Sequence, residues 1–394
     1  MSVPGPRPRD RLPAVPPSTS ERQRPTTRLT FSPRIRTSPF YEATVAAGLA
    51  DFTVYNKMVM PTSFGDLEAE YRRLVEGVAV WDVACERQVE VSGPDADACV
   101  QYLAARDLTT MRPGQARYVA MCDHDGALLN DPVLLKLADR YWFSLADSDM
   151  LLWVRAVAAE RGFDVVVCEP DVSPLAVQGP KATDVIAALF GDRVRTFGPF
   201  AFEETELGGI PLVLCRSGWS KQGGFELFLR DGARGGDLWN RVVAAGEPLG
   251  IGPGAPNHVE RVESGLLSFG GDTTPGSNPF EAGMERFVDV DTPVDYIGKA
   301  ALRGIVEDGP ARLLVGLTVD ADVADAWPLP QRTPVTADTR PVGTMSAIVF
   351  SHRLRRTIAL AQIERGIVEA GVPVEIEAPG GRVGATITNL PFVR

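Results

Sequence analysis

The stretch from Ile210 to Leu229 restricts the fold more than any other. Ile210 to Cys215 is an apolar run. The sequence Arg216-Ser217-Gly218-Trp219-Ser220-Lys221-Gln222-Gly223-Gly224 separates it from Phe225-Glu226-Leu227-Phe228-Leu229. This is the pattern of two strands joined by a glycine-rich turn, in which Gly218, Gly223 and Gly224 permit turn geometries and close approach of a ligand. On the outgoing strand Phe225, Leu227 and Leu229 share one face, and Glu226 and Phe228 share the other. A carboxylate within an apolar strand is costly to bury unpaired. Glu226 is therefore either a solvated residue on an edge strand or an acceptor for a planar, donor-rich ligand, with Trp219 offering an aromatic face nearby.

With 394 residues, 44% of them hydrophobic, the chain can bury two or three cores. A formal net charge of -11 disfavours a nucleic-acid or anionic-membrane binder and suits a soluble enzyme. No apolar run reaches the roughly 18 residues that cross a bilayer. Cys85, Cys99, Cys122, Cys168 and Cys215 are odd in number and form no CxxC pair, the usage of reduced cysteines in a cytoplasmic protein. The three histidines, His124, His258 and His352, are far apart, which argues against a metal site or an acyl-transfer triad. P-loop, dinucleotide, G-x-S-x-G and HExxH signatures are absent.

Residues 1 to about 36 form a Pro/Arg-rich tail that lacks the apolar content to pack and reads as disordered. A globular region begins near residue 37. Helical spacing covers Asp66 to Glu76, Ala96 to Ala105, Ser148 to Arg161, Lys181 to Phe190, Gly235 to Ala245 and Asn257 to Ser268. In the last of these, Asn257 and Glu260 are placed as a capping box. Strand patterns cover Val80 to Val83, Gln88 to Val91, Arg117 to Cys122, Ala127 to Leu137, Tyr141 to Leu145, Phe163 to Cys168, Leu175 to Val177 and Phe200 to Leu207. The element order repeats without residue identity, predicting an α+β fold of tandem split βαβ units with facing sheets. Beyond a boundary near residue 310, short strands separated by turns suggest a small closed β-domain over 311–394. Within Ala127 to Leu137, Pro132 forces an irregularity. The polar pair Asn130-Asp131 beside it is either a turn device or a pair aimed into a pocket.

Six motifs in order carry a resemblance: Gly126 with Asn130-Asp131, Leu175-Ala176-Val177-Gln178-Gly179-Pro180, Gly218-Trp219 with Glu226, Arg261-Val262-Glu263-Ser264-Gly265-Leu266, Ile297-Gly298-Lys299-Ala300-Ala301-Leu302, and Val342-Gly343 with Ile358-Ala359-Leu360-Ala361. Together they resemble the aminomethyltransferase (glycine cleavage T-protein) family of folate-dependent enzymes, from residue 38 to the end. Within it, Tyr55-Asn56, Trp81 to Glu90, Asn130 to Lys136 and Arg216 to Gly224 look most like the branch that demethylates dimethylsulfoniopropionate.

The resemblance implies a three-domain ring with tetrahydrofolate in a central funnel. It implies a folate site of Glu226, Gln178, Arg261 and Tyr55, with Glu226 on the pterin edge. It places Asn130 and Asp131 at the reacting centre and Trp219, Ser144 and Phe228 around a small onium methyl donor. Asn130 stands where the family usually has the first of two aspartates, and Trp219 stands where aminomethyltransferases proper have tyrosine. Phe228, either substrate wall or plain packing, replaces the tyrosine expected in a dimethylsulfoniopropionate enzyme. The implied activity is methyl transfer to tetrahydrofolate from a sulfonium or quaternary ammonium compound. Alternatives are aminomethyl transfer with a lipoyl carrier protein, a related one-carbon transferase on a specialised metabolite, and a folate-binding scaffold without turnover. A homodimer is compatible with all of these.

Overall fold

The computed structural model describes residues 30–321, 332–378 and 381–393. The expected tail falls almost wholly outside them. Two antiparallel sheets face each other. The five-stranded sheet runs, edge to edge, Val166–Cys168, Gln88–Ser92, Arg140–Ser144, Val133–Lys136 and Gln115–Tyr118. The six-stranded sheet runs Phe202–Leu207, Ile210–Cys215, Gly224–Leu229, Ser173–Gln178, Ala79–Asp82 and Gly252–Gly254, with only the last pairing parallel.

Alternation along each strand splits the apolar residues into three layers. Val89, Val91, Leu134 and Phe143 pack outward against Val100, Leu103 and Val154 of the helices Ala96–Leu103 and Met150–Arg161. Leu175, Val177, Phe225 and Leu227 pack outward against Ile186, Leu238 and Val242 of Ala182–Phe190 and Gly235–Gly246. Between the sheets, Leu135, Trp142, Val213, Cys215 and Phe228 form the third layer, with Trp142 and Phe228 ring centroids 6.4 Å apart.

The last region is a closed barrel of Arg312–Val319, Arg356–Glu364, Arg340–Ser351, Thr333–Ala337, Pro373–Ala378 and Gly381–Thr388. It packs Ala347, Val349, Ile358 and Leu360 on Val262 of the helix His258–Ser264. Glu263 of that helix is fully buried. It accepts from the Tyr71 hydroxyl at 2.9 Å and from the barrel residues Ser351 and Arg353, at 2.5 and 2.8 Å, which compensates its charge.

Most predicted elements form, with shifted ends. Asp66 caps Leu67–Glu76 by accepting from the Ala69 N–H at 2.9 Å. The Ala127 to Leu137 strand splits at Asp131-Pro132 into Leu128–Asn130 and Val133–Lys136, as proline requires. The helix expected to reach Ser268 stops at Ser264, because Gly265 turns left-handed at φ +62°. Its capping box is half formed: Asn257 accepts from the Glu260 N–H at 2.9 Å, but the Glu260 carboxylate turns to the glycine-rich turn instead. Sequence reading missed the hairpin Asp51–Tyr55/Met58–Ser63 and the helix Lys299–Asp308.

Candidate active site

Strand Gly224–Leu229 turns Glu226 and Phe228 into the space between the sheets. Phe228 lies in the apolar layer, fully buried. Glu226, two residues earlier and 5% exposed, lies at the polar end of the same gap. Its carboxylate accepts from the Ser217 hydroxyl, its one hydrogen-bond partner among the described residues. Burial raises its pKa above the ordinary carboxylate range, and the Ser217 bond offsets part of this.

Two further carboxylates share this end. Asp131 occupies the break between Leu128–Asn130 and Val133–Lys136 and accepts from the Tyr118 hydroxyl. Burial pushes its pKa up to about 7 against the Tyr118 bond, with Asp272 adding repulsion. Glu86 sits in the crossing from Ala79–Asp82 of one sheet to Gln88–Ser92 of the other. Its carboxylate has no hydrogen-bond partner among the described residues. Burial, then Glu226, then Asp131 hold its pKa well above normal. Tyr55 ends the hairpin strand beside them, and burial, Glu86 and Asp131 keep its phenol protonated. None of the three carboxylates has a Lys or Arg partner among the described residues.

Asn130 plays a different part from its neighbour. Fully buried, its amide donates to the Ala146 carbonyl at 3.0 Å and to Ser148 Oγ at 2.8 Å, and accepts from the Ala146 N–H at 3.2 Å. Asn56 holds the same loop from the other side, accepting from the Ser148 N–H at 3.0 Å and donating to the carbonyls of Cys85 and Ala146. Asn56 has a left-handed backbone, φ +48°, which asparagine tolerates. The two asparagines clamp the Leu145 to Ser148 loop.

The glycine-rich turn is braced from behind. Gln178 donates to the Ser217 carbonyl at 3.1 Å and accepts from Ser220 Oγ at 2.8 Å, so both ends of its amide are used. A Cβ at Gly218, where φ is +146°, would lie 1.9 Å from the Gln178 amide, which explains glycine there. Glu260 accepts from the Lys221 N–H at 3.0 Å and Gln222 Nε2 at 2.8 Å. The Trp219 indole donates to the Leu267 carbonyl at 3.3 Å. That segment is fixed by Asp272, which accepts from the Ser268 N–H at 2.8 Å and pairs with buried Arg261, also at 2.8 Å. Arg261 also donates to His258 Nδ1. Burial, then Arg261, push the His258 pKa down to about 4, so it remains a neutral acceptor.

Of the residues selected from sequence, the structure gathers Tyr55, Asp131 and Glu226 around the polar end of the gap. Ser144, 6% exposed, faces the same gap from Arg140–Ser144. Asn130, Gln178 and Arg261 spend their polar atoms on loops. Phe228 packs against Trp142 in the apolar layer between the sheets. Sequence reading gave no site role to Glu86, Tyr118, Ser217 or Asn56, and gave Glu260 only a place in the capping box. Only Glu86 carried a signal, an acid within the apolar crossing Val83-Ala84-Cys85. A cavity of about 570 Å³ lined by Phe280, Val306, Leu313 and Leu390 touches none of these groups.

Comparison with known proteins identifies the family. The GCVT N-terminal domain family matches residues 40–292 and the glycine cleavage T-protein C-terminal barrel domain family matches residues 312–394. The chain is 45% identical to dimethylsulfoniopropionate demethylase DmdA of Ruegeria pomeroyi, over 90% of this chain and 97% of the relative. It is 28% identical to an aminomethyltransferase of Saccharopolyspora erythraea, over 91% and 98%. The crystal structure of glycine cleavage system aminomethyltransferase T from Bartonella henselae superposes with a TM-score of 0.81 at 22% identity, covering 91% of this chain and 98% of that one, so the fold is shared. With family matches spanning both the facing sheets and the barrel, the chain belongs to the aminomethyltransferase (glycine cleavage T-protein) family.

Proposed function

We propose that this protein is a tetrahydrofolate-dependent demethylase. It moves a methyl group from a small sulfonium or quaternary ammonium compound, such as dimethylsulfoniopropionate, to N5 of tetrahydrofolate. The observation that carries the reading is the gap itself. Glu226, Glu86 and Asp131 share it without a basic partner, so it is matched to N–H donors and to a cation. The identity to the Ruegeria demethylase supports the same choice.

The donor set fits the cofactor. Glu226 is buried with one hydroxyl partner, which leaves lone pairs for the paired N–H groups of an aminopyrimidine edge. Tyr55 adds a protonated phenol beside it. Tetrahydrofolate, when bound, supplies the secondary amine that takes the methyl group. Asp131, with its carboxyl poised near pH 7 and held by Tyr118, can take up the proton that methylation of a secondary amine sets free. Asn130 acts as a positioning residue through the Leu145 to Ser148 loop. Trp219 offers its ring face to the onium group. Alignment and exclusion of water supply most of the rate for such a transfer. The folate-binding region is 37–310 and the barrel domain 311–394. A cytoplasmic location follows from the cofactor. Among the described residues no helix is long and apolar enough to cross a membrane.

A second reading, aminomethyl transfer with a lipoyl carrier protein, is supported by the aminomethyltransferase relatives. It is disfavoured by Asn130, whose amide donates where an aspartate would bring negative charge. Incubation with tetrahydrofolate and dimethylsulfoniopropionate or glycine betaine is expected to give 5-methyltetrahydrofolate and the demethylated product. Methylene-tetrahydrofolate from glycine loaded on a lipoyl carrier, with no product from any onium donor, would reverse the choice.

A further inference from the structure

Besides the Glu86 carboxylate, a neutral polar atom facing the gap has no partner among the described residues. Gln88 is 1% exposed and its Oε1 accepts no hydrogen bond from the described residues. The amide orientation is fixed by its other end, because Nε2 donates to the Glu86 carbonyl and, at 3.2 Å, to Ser144 Oγ. Turned over, Oε1 would press against the Glu86 carbonyl oxygen. Strand alternation sets the direction. Val89 and Val91 join the helix-side core, so Gln88 and Glu90 face the other sheet, and Glu90 accepts from the Trp142 indole at 2.9 Å.

Register sets the position along the gap. Gln88 pairs with Ser144, and Ser144 with Val133. Glu86 lies two residues before Gln88, and Asp131 two before Val133. Gln88 therefore sits between the carboxylate end and the Trp142–Phe228 layer, with its Nε2 on Ser144 Oγ and its Oε1 at the other end of the amide.

A buried acceptor without a donor costs stability, and an apolar side chain of the same shape would avoid that cost. Retaining it makes sense only if something occupies the position. Free acceptors at this end outnumber free donors: the Tyr118 and Ser217 hydroxyls are already given to Asp131 and Glu226, which leaves the hydroxyls of Tyr55 and Ser144 against the Glu86 carboxylate, the remaining lone pairs of Asp131 and Glu226, and Gln88 Oε1. An anionic or acceptor-rich group would be repelled. An onium group carries no N–H or O–H, but its carbons next to sulfur or nitrogen are positively polarised and suit bare oxygen acceptors.

We propose that Gln88 is a specificity-determining residue of the methyl-donor site, its unpaired amide oxygen seated against the positively polarised carbons of the onium group. This rests on the demethylase reading above. It predicts discrimination between an onium compound and the isostere that carries neutral carbon in place of the onium centre, a distinction that neither Ser144 nor an apolar wall would supply.

The test is direct binding to folate-free protein by calorimetry, which needs no turnover. Two pairs of probes are compared: dimethylsulfoniopropionate with isocaproate, and glycine betaine with tert-butylacetate. Wild-type protein is expected to prefer the onium member of at least one pair. Gln88→Leu is expected to weaken that onium by about tenfold, leaving the isostere and tetrahydrofolate within about twofold. Gln88→Met, unbranched and of similar length, takes its place if Gln88→Leu does not fold, as judged by tetrahydrofolate binding. Unchanged onium affinity in the variant, with a raised Tm, would overturn the proposal and leave Gln88 an acceptor for a buried water. Wild-type protein that binds tetrahydrofolate but prefers neither onium would overturn the demethylase reading with it.

Discussion

Replacing Asn130 by the aspartate usual in the family tests whether this residue acts on substrate or on the loop. The Asn130 amide makes three bonds to the loop: 3.0 Å to the Ala146 carbonyl, 2.8 Å to Ser148 Oγ and 3.2 Å from the Ala146 N–H. In Asn130→Asp the last survives, and the Ser148 hydroxyl can rotate to donate. The bond to the Ala146 carbonyl is lost, and an ionised oxygen would sit against that carbonyl at a fully buried position. One lost neutral bond and a buried, repulsive contact between a carboxylate and a carbonyl oxygen come to about 2–3 kcal/mol. Protonation of the aspartate restores a donor and reduces the cost to about 1 kcal/mol. The new carboxyl's pKa in the folded state is therefore raised. Its penalty is small near the unfolded pKa and grows as pH rises through the folded value. For a region of this size, the Tm deficit against wild type is expected to be about 2–4 °C at pH 5 and about 4–10 °C at pH 8. Differential scanning fluorimetry across that range reads it, with demethylation followed in parallel. Equal Tm at both pH values would refute the clamp, as would an unchanged Tm with a large loss of kcat alone, which would place Asn130 at the reacting atoms.

Three further outcomes follow from the site. Glu226→Ala removes the proposed partner of the pterin edge and is expected to weaken tetrahydrofolate by about 30- to 1,000-fold, or about 2–4 kcal/mol for charge-assisted bonds; intact binding in a fluorescence titration would refute the assignment. Asp131 has its pKa raised to about 7 by burial, among Glu86, Asp272, Tyr118 and Tyr55. Its ionisation therefore costs stability increasingly as pH rises from about 4 through 7. Asp131→Asn should gain Tm relative to wild type between pH 5 and 8 while losing demethylation. Glu260→Ala frees the Lys221 N–H and Gln222 side chain from the helix His258–Ser264. It should raise the KM for the methyl donor several-fold more than it lowers kcat, and cost about 1–3 kcal/mol in urea unfolding.

What was legible in the sequence was local. Alternation from Phe225 to Leu229 is enough to put Glu226 on the face opposite the helix-side core, and Pro132 is enough to break its strand. The turn needed its glycines, and Gly218 lies directly on Gln178. What was not legible depends on which loop meets which across the gap. Phe228 shares a strand face with Glu226, yet its neighbour across the gap, Trp142, comes from the opposite sheet and could not be read from its own strand. Asn130 and Asp131 are adjacent, but the break in the strand sends one side chain to a loop 16 residues on and the other to Tyr118. Glu86 and Gln88 illustrate the same limit most sharply. Glu86 stands out as an acid after an apolar run and Gln88 does not stand out at all, and nothing local says that the strand before them belongs to one sheet and the strand that Gln88 opens to the other. That crossing brings Glu86 to Glu226 and Asp131 and leaves Gln88 Oε1 unpaired. Charge and unmet acceptors therefore accumulate where the two sheets exchange chains. The fold tolerates that cost only at a place where a donor-rich cofactor and a cation can relieve it.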